Sequence, residues 1–142
     1  MSFTAEERKI TMLAKAKRKV NGKWITGYPL TYGFEDKWYF VPESINELEI
    51  VPVEKKTICR YTGEMLSDGR RLHEFDKVEV KDADGNKILG IIRFGTYQSS
   101  FDSTATAHIG FYVDWQDNLY WRKDLGYWVN SDRMEIVGNI QD

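Results

Sequence analysis

The chain has 142 residues, 42% of them apolar and 30% charged, with a net charge of −2. That length suits one domain with a core of its own, and the apolar content excludes a disordered chain. The near-neutral balance excludes a protein drawn as a whole to nucleic acid or anionic membrane, and the lone cysteine, Cys59, excludes an intramolecular disulfide and fits a reducing cytoplasm.

No apolar run reaches the roughly 20 residues a membrane helix needs, and the first residues lack a basic-then-apolar leader. A cytoplasmic protein is therefore expected. Charge is unevenly spread: residues 8–23 hold seven bases and no acid, whereas residues 24–142 hold 13 bases against 20 acids. Such a basic stretch is either a solvated strand face paired with the acidic remainder or an edge that contacts phosphates.

In chain order, Thr4 and Glu7 have capping-box spacing and predict a short helix over residues 4–10. Leu13 to Val20, the pair Asn21-Gly22 and the β-formers from Lys23 predict a hairpin, about 13–20 with 23–33, closed by a type I′ turn. Pro29 marks an edge or a bulge. Trp38 to Val41 reads as a strand stopped by Pro42, and Ser44 to Leu48 as one helical turn. Residues 49–53 and 57–61 read as extended. The stretch Tyr61 to Val78 then turns at Ser67-Asp68-Gly69 and launches a regular strand series.

From Asp76 the pattern alternates, with Val78 and Val80 on one face. Asp84-Gly85 signals a hairpin, and Lys87 to Phe94 reads as a central strand. Residues 96–106 form a polar loop. His108 to Trp115 is a strand in which Gly110 marks a bulge or close approach. A loop carries Tyr127 and Trp128, and Met134 to Val137 is the last strand. The expected architecture is one all-β domain over residues 1–142. It has a β-hairpin subregion, 1–60, and a small SH3-like barrel, 61–142, because about five close-spaced strands close their own edges at that size.

Three blocks resemble the YopX family of bacterial and phage proteins. Tyr61-Thr62-Gly63, Gly69, Arg70, Leu72, Glu74, Asp76 and Val78 match its Y-T-G…G-K-x-I-Y-E-G-D-x-V signature. Lys17-Arg18 through Asn21-Gly22-Lys23-Trp24-Ile25 to Gly27-Tyr28 is similar to its opening, and Val137-Gly138-Asn139-Ile140 to its I-G-N-I ending. Phe75 stands where the family has glycine, Met65-Leu66 replaces a more polar pair, and His73 replaces an aromatic. If that glycine serves a positive φ, Phe75 implies a different local turn. The resemblance implies a β-rich fold and a phage or prophage setting, with no defined activity.

Glu74 and Asp76 share one side of a strand and could do acid–base work, or Asp76 could hold backbone N–H groups at the strand start. His73, His108 and Cys59 lack paired metal-ligand spacing, so no metal or cofactor is expected. Trp115, Tyr120, Trp121, Tyr127 and Trp128 are core and rim, or a groove for a peptide or unpaired bases. The expectation is a non-enzymatic module that binds a protein partner or itself. The alternatives are nucleic-acid binding through the basic hairpin and, third, a hydrolase-like enzyme using Glu74 and Asp76. The candidate surface residues are Lys17, Arg18, Lys19, Trp24, Trp121 and Trp128; Tyr61, Thr62, Gly63, Gly69, Glu74, Asp76, Val78, Gly138 and Asn139 are read as structural.

Overall fold

The computed structural model describes residues 13–31, 36–47, 49–98, 107–117 and 121–142. They make a mainly β protein of two antiparallel sheets and one short helix, in agreement with the all-β expectation. The chain divides into two compact units, Met1–Tyr61 and Thr62–Asp142. The helix expected over residues 4–10 lies outside the described residues.

Unit 1 contains β1 (Ala14–Lys17), β2 (Trp24–Thr31), β3 (Trp38–Pro42), β4 (Val51–Val53) and the start of β5 (Cys59–Met65), in the sheet order β4-β3-β2-β1-β5. Period-2 alternation sends Ala14, Ala16 and Ile25 inward, where they meet Phe40 and Val53. Trp38, Val51 and Ile58 pack against this small core.

The hairpin forms, but not through a type I′ turn. Arg18 N–H donates to Lys23 O at 2.9 Å, and Gly22 N–H to Arg18 O at 2.9 Å. Only Gly22 takes positive φ, 70°, and the Asn21 side chain accepts from Lys23 N–H at 2.9 Å. The longer loop leaves Asn21 in ordinary backbone. Pro29 lies inside β2, opposite Phe40, just past the last described β1 pair at Gly27, so its missing N–H costs the β1–β2 ladder nothing there.

The sheet of unit 1 curls. Lys19 N–H donates to Pro52 O at 3.0 Å and Glu54 N–H to Lys17 O at 2.9 Å, so the end of β1 meets β4 as well as β2. Ser44 to Glu47 is a single turn, closed by Glu47 N–H to Ser44 O at 3.2 Å, and Leu48 is not described.

Unit 2 takes up the rest of β5, then β6 (Arg71–His73), β7 (Asp76–Lys81), β8 (Lys87–Tyr97), β9 (His108–Trp115), helix α1 (Leu125–Asn130) and β10 (Glu135–Asn139). Its four-stranded sheet has the order β10-β7-β8-β9. The expected barrel does not close: β9 and β10 are the two edges. The apolar face is covered by other means. Residues expected to be a loop form α1, which inserts Leu125 and Trp128 among Leu66, Leu72, Val78, Val80, Ile92, Val113, Trp115 and Met134. Two buried positions three apart lie on one face of a helix.

Gly110 is neither a bulge nor a close approach. The β8–β9 register runs unbroken through Gly95↔Gly110, and nothing lies within 4 Å of a Cβ placed there. The close approach is at Gly90, where a Cβ would stand 2.5 Å from the Val113 side chain and 2.9 Å from the Trp115 ring. β8 also outruns its expected end, carrying strand pairing to Tyr97↔His108. Residues 99–106 of the expected loop are not described.

Candidate interaction surfaces

The motif stretch is a joint. The extended piece expected over residues 57–61 runs further, because Tyr61-Thr62-Gly63 lies within β5, which continues to Met65. The Thr62 hydroxyl donates to Leu72 O at 2.9 Å and accepts from Glu64 N–H at 3.1 Å, fastening β5 to β6. The turn at Gly69 closes with Leu66 N–H to Arg70 O at 2.8 Å. Its Asp68 carboxyl is held below the usual aspartate value by the Arg70 backbone N–H first and the Arg70 side chain second.

Asp76 is 1% exposed, and both its oxygens are engaged. One accepts His73 N–H at 2.8 Å, and the other accepts the Asn139 side-chain amide at 2.9 Å. That amide also reaches Glu74 O at 3.3 Å, while Asn139 Oδ1 accepts Gln141 N–H at 2.9 Å. The signature and the I-G-N-I-like ending are thus brought together at one buried pair. Gly138 sits beside it, pairing Lys77 after a register shift that leaves Val137 46% exposed. Val78 is fully buried in the core of the unit.

Phe75 keeps the turn rather than changing it. It takes φ 69° itself. Its N–H donates to Ile92 O at 2.7 Å and its carbonyl accepts Ile140 N–H at 3.0 Å. A backbone bonded on both sides holds a phenylalanine in the left-handed region, at a cost of about 1–2 kcal/mol.

The basic hairpin of unit 1 spends its charge locally. Arg18 clamps Glu47 with contacts of 2.6 and 3.1 Å, which holds the Glu47 carboxyl below its ordinary value. Lys15 and Lys17 lie over the Trp24 ring, 4.7 and 5.5 Å from its centroid. Lys19 is exposed in the turn.

The tryptophans of unit 2 form a cluster. Trp115 contacts Trp121 and Trp128 edge-on with centroids 5.1 and 5.0 Å apart, and Trp121 stacks on Trp128 at 5.1 Å. The indole N–H groups of Trp115 and Trp128 both donate to Arg122 O. Trp128 is 4% exposed, so it is core and not a contact residue; Trp121 packs against that core, and Tyr127, 43% exposed, faces outward. Tyr120 is not described.

The surface that sequence reasoning missed is the far end of the β8–β9 hairpin. On one face Phe94 meets Phe111 edge-on at 5.0 Å, with Ile109 beyond it; Phe94 is 44% and Ile109 79% exposed. On the other face Tyr97 stacks on Tyr112 at 5.2 Å and on His108 at 5.3 Å, below which Arg93 binds Asp114 at 2.8 Å. Burial and, second, the nearby Asp124 charge push the Tyr97 phenol up. The signal was present: Ile109, Phe111, Val113 and Trp115 alternate on one face. Ending β8 at Phe94 hid that Ile109 lies past the core.

A groove of about 300 Å³ is lined by Glu79, Val80, Lys81, Lys87, Arg133 and Glu135. Its charges are of both signs, with Lys87 3.9 Å from Glu79 and Arg133 donating to Lys81 O at 2.8 Å. Among the described residues no group of three or more His, Cys, Asp or Glu is placed to hold a metal ion, and no helix is long and apolar enough to cross a membrane. Cys59 is buried, its thiol 3.3 Å from Thr57 O. Compared with known proteins, the chain matches no family model, no curated protein and no solved structure.

Proposed function

We propose that this is a YopX-like protein of phage or prophage origin, working in the bacterial cytoplasm as a non-enzymatic interaction module. One observation carries the binding part of the reading: the apolar end of the β8–β9 hairpin, where Phe94 and Ile109 stand exposed on regular strand. Apolar side chains clustered on a rigid hairpin mark a contact surface more often than a solvent face. Asp76 is consumed in holding the joint, so the Glu74/Asp76 acid–base reading is not carried forward.

The test is a photo-crosslinking residue at position 109, activated in bacterial cells. The reading expects one stoichiometric protein adduct, lost when Phe94 is replaced by Lys. Absence of any protein adduct from position 109 overturns it.

A second reading, nucleic-acid binding, rests on Lys15 and Lys17 sharing a sheet face with Trp24. It expects affinity for a single-stranded oligonucleotide to fall steeply with salt and to vanish in the variant K15E/K17E. Unchanged anisotropy titrations in that variant rule it out.

A further inference from the structure

We propose that two copies of this chain pair through the outer edge of β9, antiparallel, about a two-fold axis at Ile109. The proposal rests on the interaction-module reading and names its partner as a second copy.

The backbone sets the direction. β9 pairs β8 along its whole length, His108 to Trp115. On the opposite side, Val113 N–H donates to Lys123 O at 2.9 Å. Residues two apart in a strand present their N–H and C=O groups to the same side. Ile109 therefore directs both groups away from β8, as Val113 does. The bridge between Tyr112 and Asp124 carries that cover across Tyr112, and among the described residues no strand pairs the outer side of β9 at Ile109.

The chemistry of this edge selects a copy of itself. Residues 107–112 carry no Lys, Arg, Asp or Glu and no Pro, in a chain that is 30% charged. Charged side chains, prolines and bulges are how exposed edges are normally kept from pairing, and here the register also runs unbroken. In an antiparallel pair centred on Ile109, its N–H and C=O exchange both hydrogen bonds with Ile109 of the second copy. The side chain that is 79% exposed then covers its own counterpart, flanked by Phe94 from each copy. Gly110 falls opposite His108, which gives that side chain room, since nothing lies within 4 Å of a Cβ at Gly110. No like charges meet anywhere along the pair, and an isologous contact of this kind closes as a dimer. One added strand pair is small for a specific interface, at the low end below about 1,200 Å². The dimer is therefore concentration-dependent.

Sedimentation equilibrium tests the proposal directly. The native chain should rise from 16.6 kDa toward twice that mass with concentration, while Ile109→Lys stays at 16.6 kDa. Should the lysine variant lose its circular dichroism spectrum, Ile109→Thr keeps the test, with a dimer weakened at least tenfold. A cysteine scan fixes the register. Ile109→Cys places two Cα atoms about 5.5 Å apart, within disulfide reach. It should cross-link on mild oxidation, whereas Gly110→Cys, facing His108, should not. A native chain that stays at monomer mass, self-association retained in Ile109→Lys, or equal cross-linking of both cysteine variants overturns the pairing. A photo-adduct from position 109 to a different protein overturns it too, yet leaves the interaction-module reading standing. No adduct to any chain overturns both.

Discussion

Unit 1 and unit 2 bury apolar surface with different side chains. Unit 1 closes over Ala14, Ala16, Ile25, Phe40 and Val53, with Phe40 the single large fully buried ring among its described residues. Its sheet curls so that β1 meets β4, and lysines lie over Trp24 on the other face. Unit 2 leaves its sheet open and brings up a helix, burying Trp115 and Trp128 beside seven buried aliphatic residues and a methionine. The difference shows two routes to a core in small β structures: bend the sheet onto small residues, or cover it with a short element that carries a large one.

The comparison can be broken most forcefully at the two big rings. Phe40→Ala and Trp115→Ala should each cost about 3–5 kcal/mol by denaturant unfolding. A loss under 2 kcal/mol at Phe40 would mean that unit 1 does not depend on this ring. Next in size is the buried joint of unit 2. Asp76→Ala removes the carboxylate that accepts from His73 N–H and from the Asn139 amide, at about 2–4 kcal/mol. Asp76→Asn, which keeps one acceptor, should recover part of it.

A smaller effect concerns Phe75. With φ at 69°, glycine there should be more stable than alanine by about 1 kcal/mol, the reverse of the order inside a regular strand. Measuring both variants removes the phenyl contacts from the comparison, and an alanine variant as stable as glycine would contradict the left-handed assignment.

The smallest effect belongs to unit 1. Glu47 has its pKa lowered by Arg18, and Asp36 by Lys55. A lowered folded-state pKa contributes stability that is fully present above the unfolded value and is lost as pH falls through the folded one. Stability should therefore decline below the ordinary carboxylate range, below about pH 4. The slope should be shallower in E47Q, and the difference should shrink in high salt because the Arg18–Glu47 pair is only partly buried.

Much of this was legible in sequence. Alternation at Val78 and Val80, the run from Ile88 to Ile92, and the span of β9 follow from period-2 patterning. The bonding of Asp76 to a backbone N–H was legible too, because a carboxylate at a strand start has few better partners. Its meeting with Asn139 was not, since the two lie 63 residues apart and only the fold joins them. The helix α1 escaped because Leu-Gly-Tyr-Trp-Val-Asn has poor helical propensity; burial of Leu125 and Trp128 supplies what propensity does not. The barrel was misjudged for the same reason, as a sheet whose face is covered by a helix has no need to close on itself.

The carbonyl oxygen of Arg122 is one atom, yet it fixes two indoles and, through them, a third. Three tryptophans held with centroids about 5 Å apart form a coupled chromophore. Their excited states mix, so unit 2 should carry a signed far-ultraviolet dichroism couplet. The protein thus reports optically on one of its halves without any label.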